Sequence, residues 1–171
     1  MKKKSAYNQG LTFLEVVIAL SLFAVAIVGY LQIVDVALKS CYRASQELIA
    51  ANLARGLMAE IIGKKFAEEK NSQDMGPDAG ETDRWTGFDD VDDYDGWCEA
   101  PPQTLDGSRM DGTTTAPNYS KFSRGATVVF VRQDFSETSD YSPYKKVTVW
   151  ASGPQAGNVT IVEIKTNEYD G

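Results

Sequence analysis

Residues 16–34 of this chain carry no charge, and a single acid, Glu15, stands at the head of that apolar run. At about 1.5 Å per helical residue the run is roughly 28 Å long, close to the ~30 Å hydrocarbon core of a bilayer, so it can span a membrane once. Whatever else the chain builds must be built beyond that segment. Lys2, Lys3 and Lys4 precede it and Asp35 follows it. The positive-inside rule therefore places the N-terminal leader in the cytoplasm and everything after Asp35 across the membrane. An acid in a membrane span costs on the order of 2.5–3.5 kcal/mol at the bilayer centre and less near the end of the span, so Glu15 implies a partner. If cleavage occurred after Gly10, the new α-amino group of Leu11 would sit within a helical turn of Glu15. In a helical assembly that amine could pair with Glu15 of a neighbouring copy, and the acid would set the packing register.

Gly10, Leu11, Thr12, Phe13, Leu14 and Glu15, followed by the apolar run, resemble the class III signal of type IV pilins and type II secretion pseudopilins. The resemblance implies a prepilin peptidase that cuts between Gly10 and Leu11 and methylates the new N-terminus at Leu11. It also implies that Glu15 is the assembly glutamate and that the helix passes from the inner membrane into a filament. Leu11 stands where most members carry Phe. The match covers about the first third of the chain strongly and the rest only by architecture. Two plainer readings compete with it: a secretory signal with an A-x-A site at Ala24, Val25 and Ala26, and a simple single-pass anchor. The placement of Glu15 five residues after Gly10 argues against both.

Of the 171 residues, about one hundred remain for a globular head once a long helix is set aside, enough for one modest core. The net charge is −7, and removal of Met1 to Gly10 takes away three lysines and no acid, leaving −10. Such a surface repels phosphate, so nucleic acid is not expected as a partner.

Helical character continues past the membrane, with no proline before Pro77 and a stretch from Asp35 to Lys70 rich in Ala, Leu, Glu, Lys and Arg. One helix is expected from about Leu11 to about Phe66. On a helical wheel Cys41, Ala44, Leu48, Ala51, Met58, Ile62 and Phe66 form one stripe, with Arg55 at its edge, while Ile49, Leu53 and Leu57 form another. The first stripe is expected to bury against the sheet of the same molecule and the second against neighbouring helices. Both could also be covered within one monomer.

From Lys70 to Tyr119 the composition shifts to Gly, Pro, Asp and Thr, a long connecting loop. Between Asp74 and Asp111 it holds twelve acids and two bases, Arg84 and Arg109. Asp89, Asp90, Asp92, Asp93 and Asp95 lie within seven residues and repel one another unless solvent or a cation intervenes. Calcium suits them as a hard cation with flexible geometry, although an EF-hand is excluded because Val91 and Pro102 fall at essential ligand positions. The other readings are a solvated acidic loop and a contact surface anchored by Trp85, Phe88, Tyr94 and Trp97. The string GFDDVDDYDGW also resembles a segment of some minor pilins, including those of mannose-sensitive haemagglutinin pili.

After Ser120 the pattern turns to period two, in runs at 126–133, 146–151 and 158–166. Gly153, Pro154 and Gly157 make a hairpin of the last two, whereas the link from Asp134 to Lys145 is expected to cross the surface. The economical fold is α+β: a long N-terminal helix, transmembrane in its first half, packed on three or four antiparallel strands, one of them hidden in the loop. The pilin resemblance implies the same. The layout is leader 1–10, assembly helix 11–34, amphipathic helix 35–70, acidic loop 71–120 and sheet head 121–171.

Cys41 and Cys98 would both face an oxidising compartment, where a bridge between them could persist; the alternative is two unrelated thiols. With no histidine, no C-x-x-C and no phosphate-cradling glycine loop, the common catalytic constellations are missing, and the chain reads as a non-enzyme that requires no cofactor, calcium being the one candidate. The expected function is that of a minor pilin in a type IV pilus-like filament, the alternatives being a minor pseudopilin of a type II secretion system or a calcium-dependent adhesin at a pilus tip. Its partners would be other pilin or pseudopilin subunits, the prepilin peptidase and an inner-membrane assembly platform. It would cross the bacterial inner membrane once, with its head in the periplasm, and join the pilus or pseudopilus on assembly.

Overall fold

The computed structural model of the chain describes residues 12–67, 73–113 and 117–167. A single helix, α1 (Phe13–Ile62), runs for 50 residues. It begins where Thr12 can cap it: the Thr12 hydroxyl accepts the Glu15 N–H at 3.3 Å, satisfying one of the orphan donors of the first turn. It ends at Ile62, four residues short of the Phe66 expected from composition. There the backbone changes partners. Lys65 bridges Asp90 in parallel register, and the Val91 N–H donates to the Lys65 carbonyl at 3.1 Å, so the chain is drawn out of the helix by the acidic loop. The last turn of α1 contains no basic residue; the sheet supplies one, Lys165, whose ammonium donates to the Ile62 carbonyl at 2.7 Å.

The chain divides into two compact units between Tyr42 and Arg43. In the N-terminal one, α1 is apolar around its circumference, and Leu14, Leu20, Phe23, Val25, Leu31 and Ile33 are exposed. This part of α1 is long and apolar enough to cross a membrane. Its hydroxyls do not oppose that: Ser21 Oγ donates back to the Val17 carbonyl at 2.8 Å. Charged i,i+4 pairs begin directly after the apolar run, with Lys39 and Asp35 2.7 Å apart.

In the C-terminal unit the rest of α1 lies on a four-stranded antiparallel sheet, an α+β fold. The strands are β1 (Cys98–Glu99), β2 (Ser123–Phe130), β3 (Tyr144–Ser152) and β4 (Val159–Thr166), in the spatial order β1-β2-β3-β4. The three long strands coincide with the period-two runs, and β3 alternates buried and half-buried residues along its length. The hidden strand is β1, two residues inside the acidic loop. Gly125 makes that pairing feasible, since a Cβ there would stand 2.7 Å from the Trp97 carbonyl and 2.8 Å from the Trp150 ring.

The buried face of α1 is Ala50, Leu53, Ala54, Leu57, Met58 and Ile61, at helical spacing. The second stripe, expected against neighbouring helices, is thus covered within the head, together with the C-terminal part of the first. Leu53 and Leu57 join the core, while Leu48 is 60% exposed and Cys41 and Ala44 face solvent; of the first stripe, Met58 joins the same core, Ile62 packs against it and Phe66 is buried in a second cluster with Phe130. Ala50 and Ala54, both fully buried, complete the covered face with small side chains. Leu57, Met58 and Ile61 pack against Val91, Tyr94, Val128, Val147 and Val149, each such burial contributing about 1.5–3 kcal/mol.

The β2–β3 link does not cross the surface. It folds back as a hairpin, with Val131 bridging Glu137 and the Arg132 N–H bonded to the Ser136 carbonyl at 2.8 Å. At its tip the Phe135 N–H closes a turn onto the Arg132 carbonyl at 2.9 Å, and Phe135 adopts φ 64°, the left-handed region usual for glycine at this kind of turn.

Candidate functional site

Three features of the sequence bear on function: the helix start, the acidic loop and the cysteines. Gly10 and Leu11, the expected cleavage and methylation positions, lie outside the described residues. Glu15 is exposed in the first turn of α1, where the helix dipole favours a carboxylate. Thr12, which the sequence reading passed over, stands three residues ahead of it as the cap. The Thr-x-x-Glu spacing is the signal that could have revealed it.

The acidic loop is not the solvated string its composition suggested. Asp90, Asp92 and Asp93 are buried, and Phe88, Val91 and Tyr94 belong to the core. Each acid has internal work. Asp93 Oδ2 accepts the N–H groups of Asp89 (2.8 Å) and Asp90 (3.0 Å), and Asp90 Oδ1 accepts that of Asp92 at 3.0 Å. Asp95 Oδ1 takes the Val128 N–H of β2 at 2.9 Å, and Asp89 pairs with Lys65 at 2.6 Å. Asp92 Oδ1 lies 2.5 Å from Lys145 Nζ, which comes from β3, is 0% exposed and also donates to the Phe66 carbonyl at 2.7 Å. The Lys145 ammonium sits 4.5 Å from the centre of the Phe66 ring. Five aspartates close in sequence are therefore sent to different partners. Asp89 and Asp93 come together with a third carboxylate, Glu81, outside the expected set, with oxygens of the three within 4.8 Å.

Burial raises the pKa of Asp90 to about 7, assisted by its hydrogen bond and repulsion with Asp92. Burial likewise raises Asp93 to about 7, with Glu81 and Asp90 adding to it. Both groups then hold protons more tightly in the folded chain than in the unfolded one between about pH 4 and pH 7. In that window stability falls as pH rises, and it levels off above about pH 7. Asp106, Asp111 and Asp134, held low by hydroxyl and backbone donors, act in the opposite sense and only below the usual carboxylate range. A thermal melt of the wild type is expected to show a higher midpoint at pH 5 than at pH 8. Asp93→Asn, which keeps an acceptor oxygen for the two N–H groups, is expected to flatten that slope.

A second charged cluster fastens the loop to the helix. Arg84 Nη1 donates to Glu60 Oε1 at 2.6 Å, and its Nη2 donates to the carbonyls of Gln103 (3.1 Å) and Thr104 (2.9 Å). The Tyr94 hydroxyl donates to the same Glu60 at 2.8 Å, and burial pushes its pKa up. Arg124 of β2 donates to Glu99 of β1 at 2.6 Å, to the Gln103 carbonyl at 2.6 Å and to the Leu53 carbonyl of α1 at 3.3 Å. All four charged side chains are at most 10% exposed. Of the aromatic residues expected as contact anchors, Phe88 and Tyr94 are core. Trp97 is half-buried with the Arg84 guanidinium 5.2 Å from its ring, and Trp85 alone is exposed.

Beside this cluster lies an open, mainly apolar cleft of about 720 Å³. One wall is the helix end at Gly56, Ala59, Gly63 and Lys64, and the other is the loop at Thr104, Leu105 and Met110. Cys41 and Cys98 are both free, exposed thiols. Scans against family models, curated proteins and solved structures each return no match.

Proposed function

We propose that this chain is a structural subunit, a minor pilin, of a type IV pilus-like filament, held in the bacterial inner membrane by the first half of α1 with its head in the periplasm. The observation that carries this reading is the division of one continuous helix. Its first half is apolar and exposed on every side, with its one acid in the first turn, while its second half is the spine of an α+β head. A plain anchor needs no acid at that position, and a core helix would not leave Leu20, Phe23 and Leu31 uncovered. On this reading a prepilin peptidase cuts between Gly10 and Leu11 and methylates Leu11. Glu15 then pairs with the N-terminus of a neighbouring subunit on an inner-membrane assembly platform. The role is structural rather than enzymatic and needs no cofactor; calcium, if taken up, would draw on Glu81, Asp89 and Asp93. A second reading, a minor pseudopilin of a type II secretion system, draws on the compact sheet and its short β3–β4 connection.

Intact-mass and N-terminal analysis of the protein from its native membrane tests the proposal. A chain beginning at N-methylated Leu11 is expected, and an intact Met1 or a start after Ala26 would overturn it. Glu15→Ala is expected to leave membrane insertion unchanged and to remove the subunit from sheared filaments. Wild-type incorporation of that variant would exclude the pairing role.

A further inference from the structure

The tip of the β2–β3 hairpin breaks a local rule without an internal gain. The turn calls for glycine at its left-handed position, yet the residue there is Phe135, which is 66% exposed. The tip is held firmly by the Arg132–Ser136 and Phe135–Arg132 backbone bonds and by the Asp134 carboxylate, which accepts the Ser136 N–H at 3.0 Å. A hydrogen-bonded turn thus presents a bulky aromatic to solvent at a backbone cost. Such departures concentrate where a side chain is needed for contact.

The same unit carries a matching receptor. The cleft between the end of α1 and the loop is mainly apolar, lined by Gly56, Ala59 and Leu105, the last 71% exposed, with Glu60, Lys64 and Arg124 also in its walls. Charge agrees with shape. On the tip, Arg132 and Asp134 lie close to Phe135 in sequence; Lys64 lines the helix wall of the cleft, and Asp106, exposed, follows Leu105 in the loop, where its carboxylate accepts the Ser108 N–H at 3.0 Å. The Lys64 ammonium meets the Phe88 carbonyl at 2.6 Å rather than a carboxylate, so its charge is available to an incoming acid.

We propose that Phe135 of one copy docks in this cleft on a second copy, with Asp134 facing Lys64 and Arg132 facing Asp106. A knob and a socket at different places on one surface make a head-to-tail contact. Such a contact repeats without closing when the rotation between copies does not return on itself, which is the symmetry of a filament. The inference rests on the filament reading and adds to it a contact between the globular units that is separate from Glu15. One aromatic knob is far below the ~1,200 Å² of a stable standard interface, so the contact acts when the membrane helices already hold copies close together.

The test uses the full chain in a host inner membrane with a photoactivatable benzophenone amino acid at position 135. Irradiation is expected to give a covalent dimer whose adduct maps to residues 56–64 or 103–110. No dimer, or a dimer mapped elsewhere, would overturn the proposal. Leu105→Glu, at an exposed position, is expected to reduce the adduct more than about ten-fold, the loss that removing an interface hot spot brings. Reversing both charges of one pair, Arg132→Asp with Asp106→Arg, is expected to retain the adduct that either single change loses. Phe135→Gly is expected to melt no lower than wild type, so a loss of self-association in that variant cannot come from unfolding. A mapped dimer that persists in Glu15→Ala would leave this contact standing even if the pilin reading fell.

Discussion

Lys145→Met is expected to lower the thermal midpoint of the head by about 12–20 °C, the largest effect of any single substitution in the sheet. Lys145 is fully buried and opposes Asp92, whose side chain is 7% exposed, at 2.5 Å. Methionine fills a similar volume but leaves the Asp92 charge and the Phe66 carbonyl without their donor. Breaking a buried pair from one side costs about 3–5 kcal/mol, which for a domain of this size corresponds to roughly 4 °C per kcal/mol. The double variant Lys145→Met with Asp92→Asn carries no stranded charge and is expected to recover about half of the loss. Melts in detergent, followed by the fluorescence of Trp97 and Trp150, would read both. A midpoint within about 3 °C of wild type for the single variant would show that water reaches Asp92 and that the pair is not a buried one.

The second large effect is expected at Arg84, and it should be local before it is global. Arg84→Ala strands Glu60 beside the Tyr94 hydroxyl and leaves the Gln103 carbonyl with Arg124 alone and the Thr104 carbonyl with no donor from this cluster. The expected cost is again about 3–5 kcal/mol. Because this guanidinium joins the loop to α1, residues 99–110 should lose hydrogen-exchange protection and become open to cleavage after Arg109 below the unfolding temperature. Glu60→Gln keeps acceptors for Arg84 and Tyr94 and is expected to cost less than half as much. Equal losses for the two variants would indicate that the charge of Glu60, rather than the connections of Arg84, carries the cluster.

The helix and the three long strands were legible because their signals are local. An unbroken run of helix formers up to Gly63 and a period of two from Ser123 onward need no knowledge of the rest of the chain. The end of α1 was not legible, since it depends on Lys65 finding Asp90 across a loop of no regular period. The burial of the aspartates was hidden for the same reason. Composition reads five acids as solvated, and only the fold brings Lys145 from 53 positions away and turns backbone N–H groups toward Asp90 and Asp93. The N-terminal part of the covered face was missed because alanine scores weakly as an apolar residue, yet Ala50 and Ala54 are fully buried where Cys41, Ala44 and Leu48 are exposed. For the candidate site, Glu15 was visible as an acid at the head of an apolar run, whereas the cleft and its rim exist only after residues 56–64 and 103–110 meet.

Three cations of the sheet, Arg124 on β2, Lys145 on β3 and Lys165 on β4, each grip a main-chain oxygen of α1 or the turn after it, at Leu53, Phe66 and Ile62. A tensile load drawn along the helix axis therefore reaches every long strand of the head at once. The fastenings are strained in shear and share the force, where a helix held at one end would peel away bond by bond.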